Sequence, residues 1–546
     1  MKTPILGSSY VARSVNAADS RMVNLFPEII PEGGKEPAFL NRAPGLRLLA
    51  NMGDGPIRGM WQFEGHSYVV SGNTLYKVDT LWRSTIIGTV SGSPGPVSMS
   101  DNGTQLFVAC NGPSYIYNSL TNEFKPIDDP DFPGAVTVGY LNGYFVFNEP
   151  NSQRIWITQL LDGTSVDPLD FASAEGSPDG LVSLLVSHRE AWLFGTNSVE
   201  VWYDSGAADF PLTPVQGAYN EIGCIAAYSV AKLDNGIFWL GADARGQGIV
   251  YRATGYTATR VSTHAVEWQI QQYGTISDAI AYTYQQDGHA FYVLIFPSAN
   301  TTWVFDVATS MWHERAAFIN GSFTRHRSNC QMSFGNEIVV GDHEVGNIYA
   351  FDLNVFSDNG EVQKWLRSWR ALPTGTNDLK RTAQHSLQLD AETGAIDSSV
   401  TTPPIIVDVS PPDVKLITES GDVIVYEGAS GSLILTEGGD PIVQEDGSYI
   451  DQDGAAGGAI LVQVGQIQAT PIDPQVMLRW SDDGGHTWSN DHWRSMGLTG
   501  QYGRRVIWRR LGMTLKLRDR VYEVSGTDPV KIAIMGAELT ASATNG

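Results

Sequence analysis

Between Pro56 and Asp352 the sequence repeats one pattern every 40–50 residues or so, roughly the length of a four-stranded propeller blade, and few folds accept such a chain. The segment PIRGMWQFEGHSYVVSGNTLYKVD, from Pro56, reads as three strands, with Gly65 and Ser71-Gly72-Asn73 at the two turns. Further copies begin at Pro96, Ala135, Leu181, Cys224, Ile276 and Cys330. Each holds a weak strand, a turn such as DNG, LNG or QDG, a strongly apolar strand, a second turn and an aromatic third strand. The copies share a pattern and no letter motif. Seven are countable, and six remain if one is a decorated connection. No linker separates them, which counts against a string of separate sandwiches. The 57 glycines and the 15 Trp, 21 Tyr and 20 Phe suit short strands joined by tight turns.

The flanks differ from the repeat. Residues 1–55 are rich in polar, Pro and Gly breaks and read as a loop-like arm, with Leu25, Phe26, Ile29 and Ile30 available for burial. Near Asp378 the pattern changes to the strand-like LKRTAQHSLQLDAETG. Residues 395–473 then turn acidic, with Lys415 as the one cation and a short internal repeat, T-E-x-G-D-x-I-V-x-E, at Ile417 to Glu427 and Leu435 to Glu445. This stretch reads as a small inserted β-module, although PPDV and DQDGAAGGA are linker-like. Beyond it, VMLRWSDDGGHTWS, GRRVIWRRLGMTLKLR and VKIAIMGAELTA alternate as strands and pair with the strand near His385. The expected fold is all-β: a β-propeller-like body of six or seven blades (56–375) and a C-terminal β-sandwich (376–394 and 474–546) carrying the inserted module (395–473).

Chemistry-bearing patterns are sparse. A formal charge of −24, with 35 Lys and Arg against 59 acids, argues against a protein that grips nucleic acid, though an acidic wall would let DNA slide past. Cys110, Cys224 and Cys330 are far apart, so neither a disulfide framework nor a zinc site is expected, and synthesis in a reducing cytoplasm fits. No apolar run reaches about 18 residues, so no membrane span is expected. The opening MKTPILGSSYVARS lacks a signal-peptide core. No phosphate loop, nucleophile elbow, HExxH or paired carboxylates at readable spacing occur, so no catalytic residue, metal or cofactor is expected.

Two groups stand out. Ser481, Asp483, Gly485 and Trp488 fit the Asp-box S-x-D-x-G-x-T-W, a hairpin in which Asp483 caps the turn, Gly485 takes a positive φ and Trp488 packs beneath. Sialidases repeat this box among their blades; here it occurs once, outside the repeat. Arg504, Arg505, Arg509, Arg510, Arg518 and Arg520 form the one basic cluster, on alternating strands. They suit contact with an acidic neighbouring subunit or a phosphate backbone, or else a solvated strand face.

Three stretches resemble one family, the packaged-DNA stabilization proteins that form the tail hub of short-tailed phages. They are RMVNLFPEIIPEG leading to Leu40 to Gly45 (LNRAPG), the segment with SPDGL (Ser177 to Leu181) followed by Phe194 to Glu200 (FGTNSVE), and LRWSDDGGHTWS with GRRVIWRRLG and LKLR. The resemblance implies a non-enzymatic virion protein, assembled as a six-membered ring below the portal and its adaptor. It implies a DNA channel that helps retain the packaged genome, with a tail needle or plug and fibres or spikes as further partners. The 395–473 insert departs from the family pattern. A propeller glycosidase, or a glycan- or receptor-binding tail protein presenting the insert, is the competing expectation.

Overall fold

A computed structural model describes residues 1–14, 18–34, 36–92, 94–174, 176, 179–207, 210–243, 246–373, 381–396, 473–498, 501, 503–515 and 520–544, with short strand pairs in the insert. Ser177, Arg518 and nearly all of the 395–473 stretch, including its T-E-x-G-D repeats, lie outside the described residues. Within the separate unit Ser398–Thr470, Ile406–Val407 pairs with Ile460–Leu461 and Leu416–Ile417 pairs with Val423–Ile424.

The repeat forms seven antiparallel four-strand sets, the blades of a β-propeller. Blade one runs Ile57–Phe63, His66–Ser71, Thr74–Val78 and Ser84–Thr89. Blade two begins at Ser98–Asp101, blade three at Val138–Leu141, blade four at Leu181–Ser187, blade six at Ile280–Gln286 and blade seven at Ser328–Phe334. In blade five the inner position is shared by Gly223–Cys224 and Ala231–Leu233, both paired with Gly236–Asp243. The inner strands pack in sequence around a ring, a turn at Ala227–Ser229 bridging blades four and five, and blade seven meets blade one.

Each blade is apolar on both faces, because successive side chains point to opposite sides of a strand and both sides meet a neighbour. Leu106 and Val108 pack toward blade one while Phe107 and Ala109 pack toward blade three. Phe238 and Leu240 pack toward blade six while Ile237 and Trp239 pack toward blade four. Seven separate apolar cores result, one for each junction. This is why the second strands read as unbroken apolar runs.

The first 55 residues, loop-like in sequence, contain six strands among the described residues, three of which pair with strands far along the chain. Gly45–Asn51 pairs antiparallel with Asn347–Asp352 and supplies the fourth strand of blade seven. Met22–Val23 lies between Met311–Glu314 of blade six and Trp365–Arg370, so the blade-six sheet continues through Val521–Gly526, Gln475–Ser481 and His492–Ser495 to nine strands. Leu25–Ile29 and Ala38–Arg42 join Val530–Ala543, Thr382–Ile396 and Val506–Met513 in a second sheet. These two sheets enclose the sandwich core of Met22, Leu25, Leu40, Trp365, Trp369, Trp508, Tyr522 and Ile534.

Two buried polar residues hold this arm. Asn24 turns from one sheet to the other at φ 53°, a conformation Asn tolerates better than most residues. Its amide donates to the carbonyls of Ala316 and Lys364, both at 2.8 Å, and accepts from Ala316 N–H at 3.0 Å. Arg42 directs its five donors to Gln363 Oε1 and to the carbonyls of Gln363, Phe356, Asp528 and Val530. Replacing Asn24 with Ala leaves two buried carbonyls and one buried N–H unpaired, and chemical-denaturation midpoints should report a loss of about 2–4 kcal/mol.

Blade six and its neighbours bury an unusual set of histidines. His313 is fully buried, edge-on to Phe291 at 5.9 Å, with no hydrogen-bond partner at either ring nitrogen. Burial, together with Arg315 and His289, pushes it well below its ordinary value; burial also lowers His326 to about 3 and His343 to about 4. Below about pH 6.5 the unfolded chain takes up protons that these rings refuse, so the stability they contribute is lost as pH falls toward 4. His289, raised by its hydrogen bond to Asp306, and Asp358, raised by burial to about 6, act in the opposite direction. Thermal melts should show a net fall in stability from pH 7 to pH 4.5, and His313→Phe should flatten that slope.

Candidate functional site

The sandwich carries both residue groups singled out in the sequence. The hairpin after Gln475–Ser481 is held from within. Ser481 Oγ donates to Asp483 Oδ1 at 2.6 Å and accepts from Gly485 N–H at 2.7 Å. Asp483 also accepts from Thr487 N–H at 2.8 Å and Thr487 Oγ1 at 2.6 Å, which holds its carboxyl well below the ordinary range. Gly485 sits at φ 103°, and Trp488 Nε1 donates to Gly485 O at 3.0 Å with Arg479 over its ring at 4.8 Å. Every contact of the box serves the turn.

The arginines divide. Arg520 is 2% exposed, paired to both oxygens of Asp482 at 2.7 and 2.9 Å, donating to the carbonyls of Leu511 and Met513, and placed over Trp480 at 5.2 Å. Its guanidinium ties strands together and is not presented at the surface, where both readings of the arginine cluster had put it. Arg518 lies outside the described residues. Arg504, Arg505, Arg509 and Arg510 are exposed.

Backbone irregularity explains how Arg509 and Arg510 both face outward. Ser386 stands opposite Arg509 but Gln384 opposite Gly512, so Val506–Met513 carries one extra residue, a bulge, with Arg510 at φ 60°. The bulge resets the alternation and returns Leu511 to the core. Val506–Met513 is an edge strand, and alongside it runs the other sheet's edge, His492–Ser495. Trp508 Nε1 donates to His492 O at 2.8 Å and Arg494 Nε to Ile507 O at 3.2 Å, tying the two edges. Trp493 (52% exposed), Met513 (51%) and Leu515 (62%) complete the surface. From His492 to Leu515 there are five arginines and no acid. Sequence reading missed Trp493, Arg494, Met513 and Leu515, which look like ordinary strand residues; the absence of acids was the available signal.

Elsewhere the surface offers less chemistry. The seven inner strands surround a cavity of about 500 Å³, and its Arg58 is turned onto the carbonyls of Gly72, Ser91 and Gly95 at 2.7–2.9 Å. Cys110, Cys224 and Cys330 are unbridged, and burial raises their thiols to about 11, 12 and 12, which keeps them protonated and unreactive. Among the described residues no cluster of His, Cys, Asp and Glu could hold a metal ion, and no helix is long and apolar enough to cross a membrane.

A propeller continued into a sandwich is the architecture of two phage family models that match this chain, and those matches make it a structural protein of the phage tail. Residues 1–356 match the family model described as bacteriophage P22 Gp10, beta-propeller, and residues 450–542 the one described as bacteriophage P22 Gp10, beta-sandwich. The chain belongs to this family, the tail-hub or DNA-stabilization proteins of short-tailed phages. No curated protein matches the chain. Among solved structures, the computationally designed Ika8 protein is similar at 11% identity over 57% of this chain and 99% of its own, with a TM-score of 0.34. The extracellular domain of BT4673 from B. thetaiotaomicron is similar at 11% identity over 72% of this chain and 46% of its own, TM-score 0.39. PorZ of Porphyromonas gingivalis is similar at 10% identity over 74% and 59%, TM-score 0.32.

Asp483→Ala removes the acceptor for three donors of the hairpin. It should cost about 1.5–3 kcal/mol in urea-unfolding midpoints and leave the far-UV spectrum unchanged at neutral pH.

Proposed function

We propose that this chain is the hub, or nozzle, of a short-tailed phage tail, synthesised in the host cytoplasm and incorporated into the virion. In this reading it assembles as a ring of six below the portal and its adaptor, extends the DNA channel and helps retain the packaged genome. A needle or plug and the fibres or spikes attach to it, and it carries out no catalysis. The observation that carries the reading is the sandwich edge, where Arg494, Arg504, Arg505, Arg509 and Arg510 accompany exposed Trp493, Met513 and Leu515 with no acid from His492 to Leu515. Elsewhere the chain is strongly acidic, with a total formal charge of −24. A cationic, apolar edge on such a protein suits a protein neighbour of opposite charge, since complementary charge sets register and desolvated aromatic and aliphatic groups supply affinity. The acidic remainder suits DNA that passes without being held.

Reversing both bulge arginines, Arg509→Glu with Arg510→Glu, should leave the purified protein folded and weaken its incorporation, giving particles that lack tails and lose DNA. Mutant virions with full genomes and normal tails, counted by electron microscopy, would refute the role of this edge.

A further inference from the structure

One rim of the propeller exposes leucines in a repeated way. In blade one the turn after the third strand is capped by Asp79, whose Oδ1 accepts from Leu81 N–H at 2.9 Å, and Leu81 is 57% exposed. In blade two Asn118 Oδ1 accepts from Leu120 N–H at 3.0 Å, and Leu120 is 75% exposed. In the longer connection of blade three Asp167 Oδ1 accepts from Leu169 N–H at 2.9 Å, and Leu169 is 80% exposed. The same connection also exposes Leu160 and Leu161, and Leu161 adopts φ 59°, where Gly or Asn would be unstrained.

The turn itself does not call for leucine. Asp204 and Asp306 make the same bond in blades four and six to Gly206 and Ala308. A side chain capping the N–H two residues on is a backbone device that leaves the capped side chain free to vary. Single exposed leucines need no explanation, but the connections between third and fourth strands of three successive blades each present one on a capped turn, a repetition that points to a contact surface. All blades are antiparallel, so these turns leave the same face of the propeller as the hairpins between first and second strands. Gly143 of one such hairpin lies beside Leu160, and Asn102 of another donates to Leu161 O at 3.4 Å.

The leucine-bearing turns are acidic, with Asp79, Asp162, Asp167 and Asp170 in them against Arg83, which pairs with Asp79 at 2.8 Å. Their apolar-and-negative character is the complement of the apolar-and-positive sandwich edge. The sandwich grows out of the blade-six sheet, and in a closed ring of seven, blades two and three are the farthest from blade six. The two surfaces therefore cannot meet within one molecule. Unlike patches on opposite sides of one subunit make a head-to-tail contact, which repeats as a ring where its rotation closes and as a filament where it does not.

We propose that the leucine-bearing turns of blades one to three dock the arginine edge of a second copy of this chain. This rests on the reading of that edge as an assembly surface, and it adds the partner surface. Sedimentation velocity on the full-length chain over rising concentration tests it. The triple variant Leu81→Ser, Leu120→Ser, Leu169→Ser keeps every capping carboxylate or amide and should melt like the wild type, yet self-associate at least tenfold more weakly. The pair Arg509→Glu, Arg510→Glu should do the same. Mixed in equal amounts, the two variants should form a dimer and stop there, because each retains the surface the other lacks. If the leucine variant assembles like the wild type while the arginine variant does not, the leucine rim is excluded and the edge stands. If the arginine variant assembles like the wild type, the reading of the edge itself falls. A mixture without dimers, or a wild-type chain that stays monomeric throughout, overturns the pairing of the two surfaces.

Discussion

The antiparallel pairing of Gly45–Asn51 with Asn347–Asp352 is the contact on which the rest of the structure depends. A blade buries both of its faces, so a row of blades left open exposes two apolar faces, and only closure covers them. Here the closing strand comes from the other end of the propeller sequence. Leu46 reaches the core between blades six and seven, and Met52 the core between blades seven and one, so one short segment serves both sides of the seam. The entropy of closing so long a loop grows only logarithmically with its length, which makes the seam affordable thermodynamically. Contacts of such sequence separation also slow folding relative to the local hairpins.

The same arm removes the boundary between propeller and sandwich. Met22–Val23 bridges the blade-six sheet to Trp365–Arg370, and two residues later the chain is in the opposite sheet. Asn24 and Arg42, which make this crossing, satisfy backbone carbonyls and amides that no regular ladder reaches. The bidentate pair of Arg21 with Glu314, at 2.6 and 3.1 Å, pins the arm to the outer strand of blade six. The partners in these contacts lie some 290 to 490 residues apart, buried at Asn24 and Arg42 and half-buried at Arg21. Loss of either partner leaves a desolvated group behind, so the two modules resist separation more than their apolar contact alone would make them.

What was legible in the sequence follows the range of the interaction. The first three strands of each blade are joined by two- to five-residue turns with their own Gly, Asn and Asp signals, and their apolar runs are local, so seven copies could be counted. The fourth strands were not legible: Ser84–Thr89, Glu123–Pro126 and Phe171–Ser173 are short and largely exposed, with no face that alternation could mark. The strands of the arm were missed because their apolar residues acquire meaning only from partners far along the chain. At the sandwich edge, strict alternation would put Arg509 and Arg510 on opposite faces, and the bulge at Arg510 breaks that rule. Arg520 carries the same charge as its neighbours in the sequence, but Asp482 and Trp480 take it into the interior. The hydrogen bonds of the Asp-box turn all lie within eight residues, the range over which a sequence motif can be read.

Charge and apolar surface divide the work of assembly differently. At physiological ionic strength a charge is felt over about 8 Å, so the acid-free edge acts only once two copies are nearly in contact. Arginines at the rim of such a contact act mainly on orientation and rate of encounter, whereas reversing their charge sets acid against acid and costs affinity as well. In the proposed contact, affinity would come from groups that lose water: Trp493, Met513 and Leu515 on one side and the leucines of blades one to three on the other. The exposed leucines and the strain at Leu161 are costs to the isolated chain, and a folded subunit that kept them with no partner would be carrying a liability. Covering such a surface removes these costs, which favours assembly with neighbouring proteins of the tail.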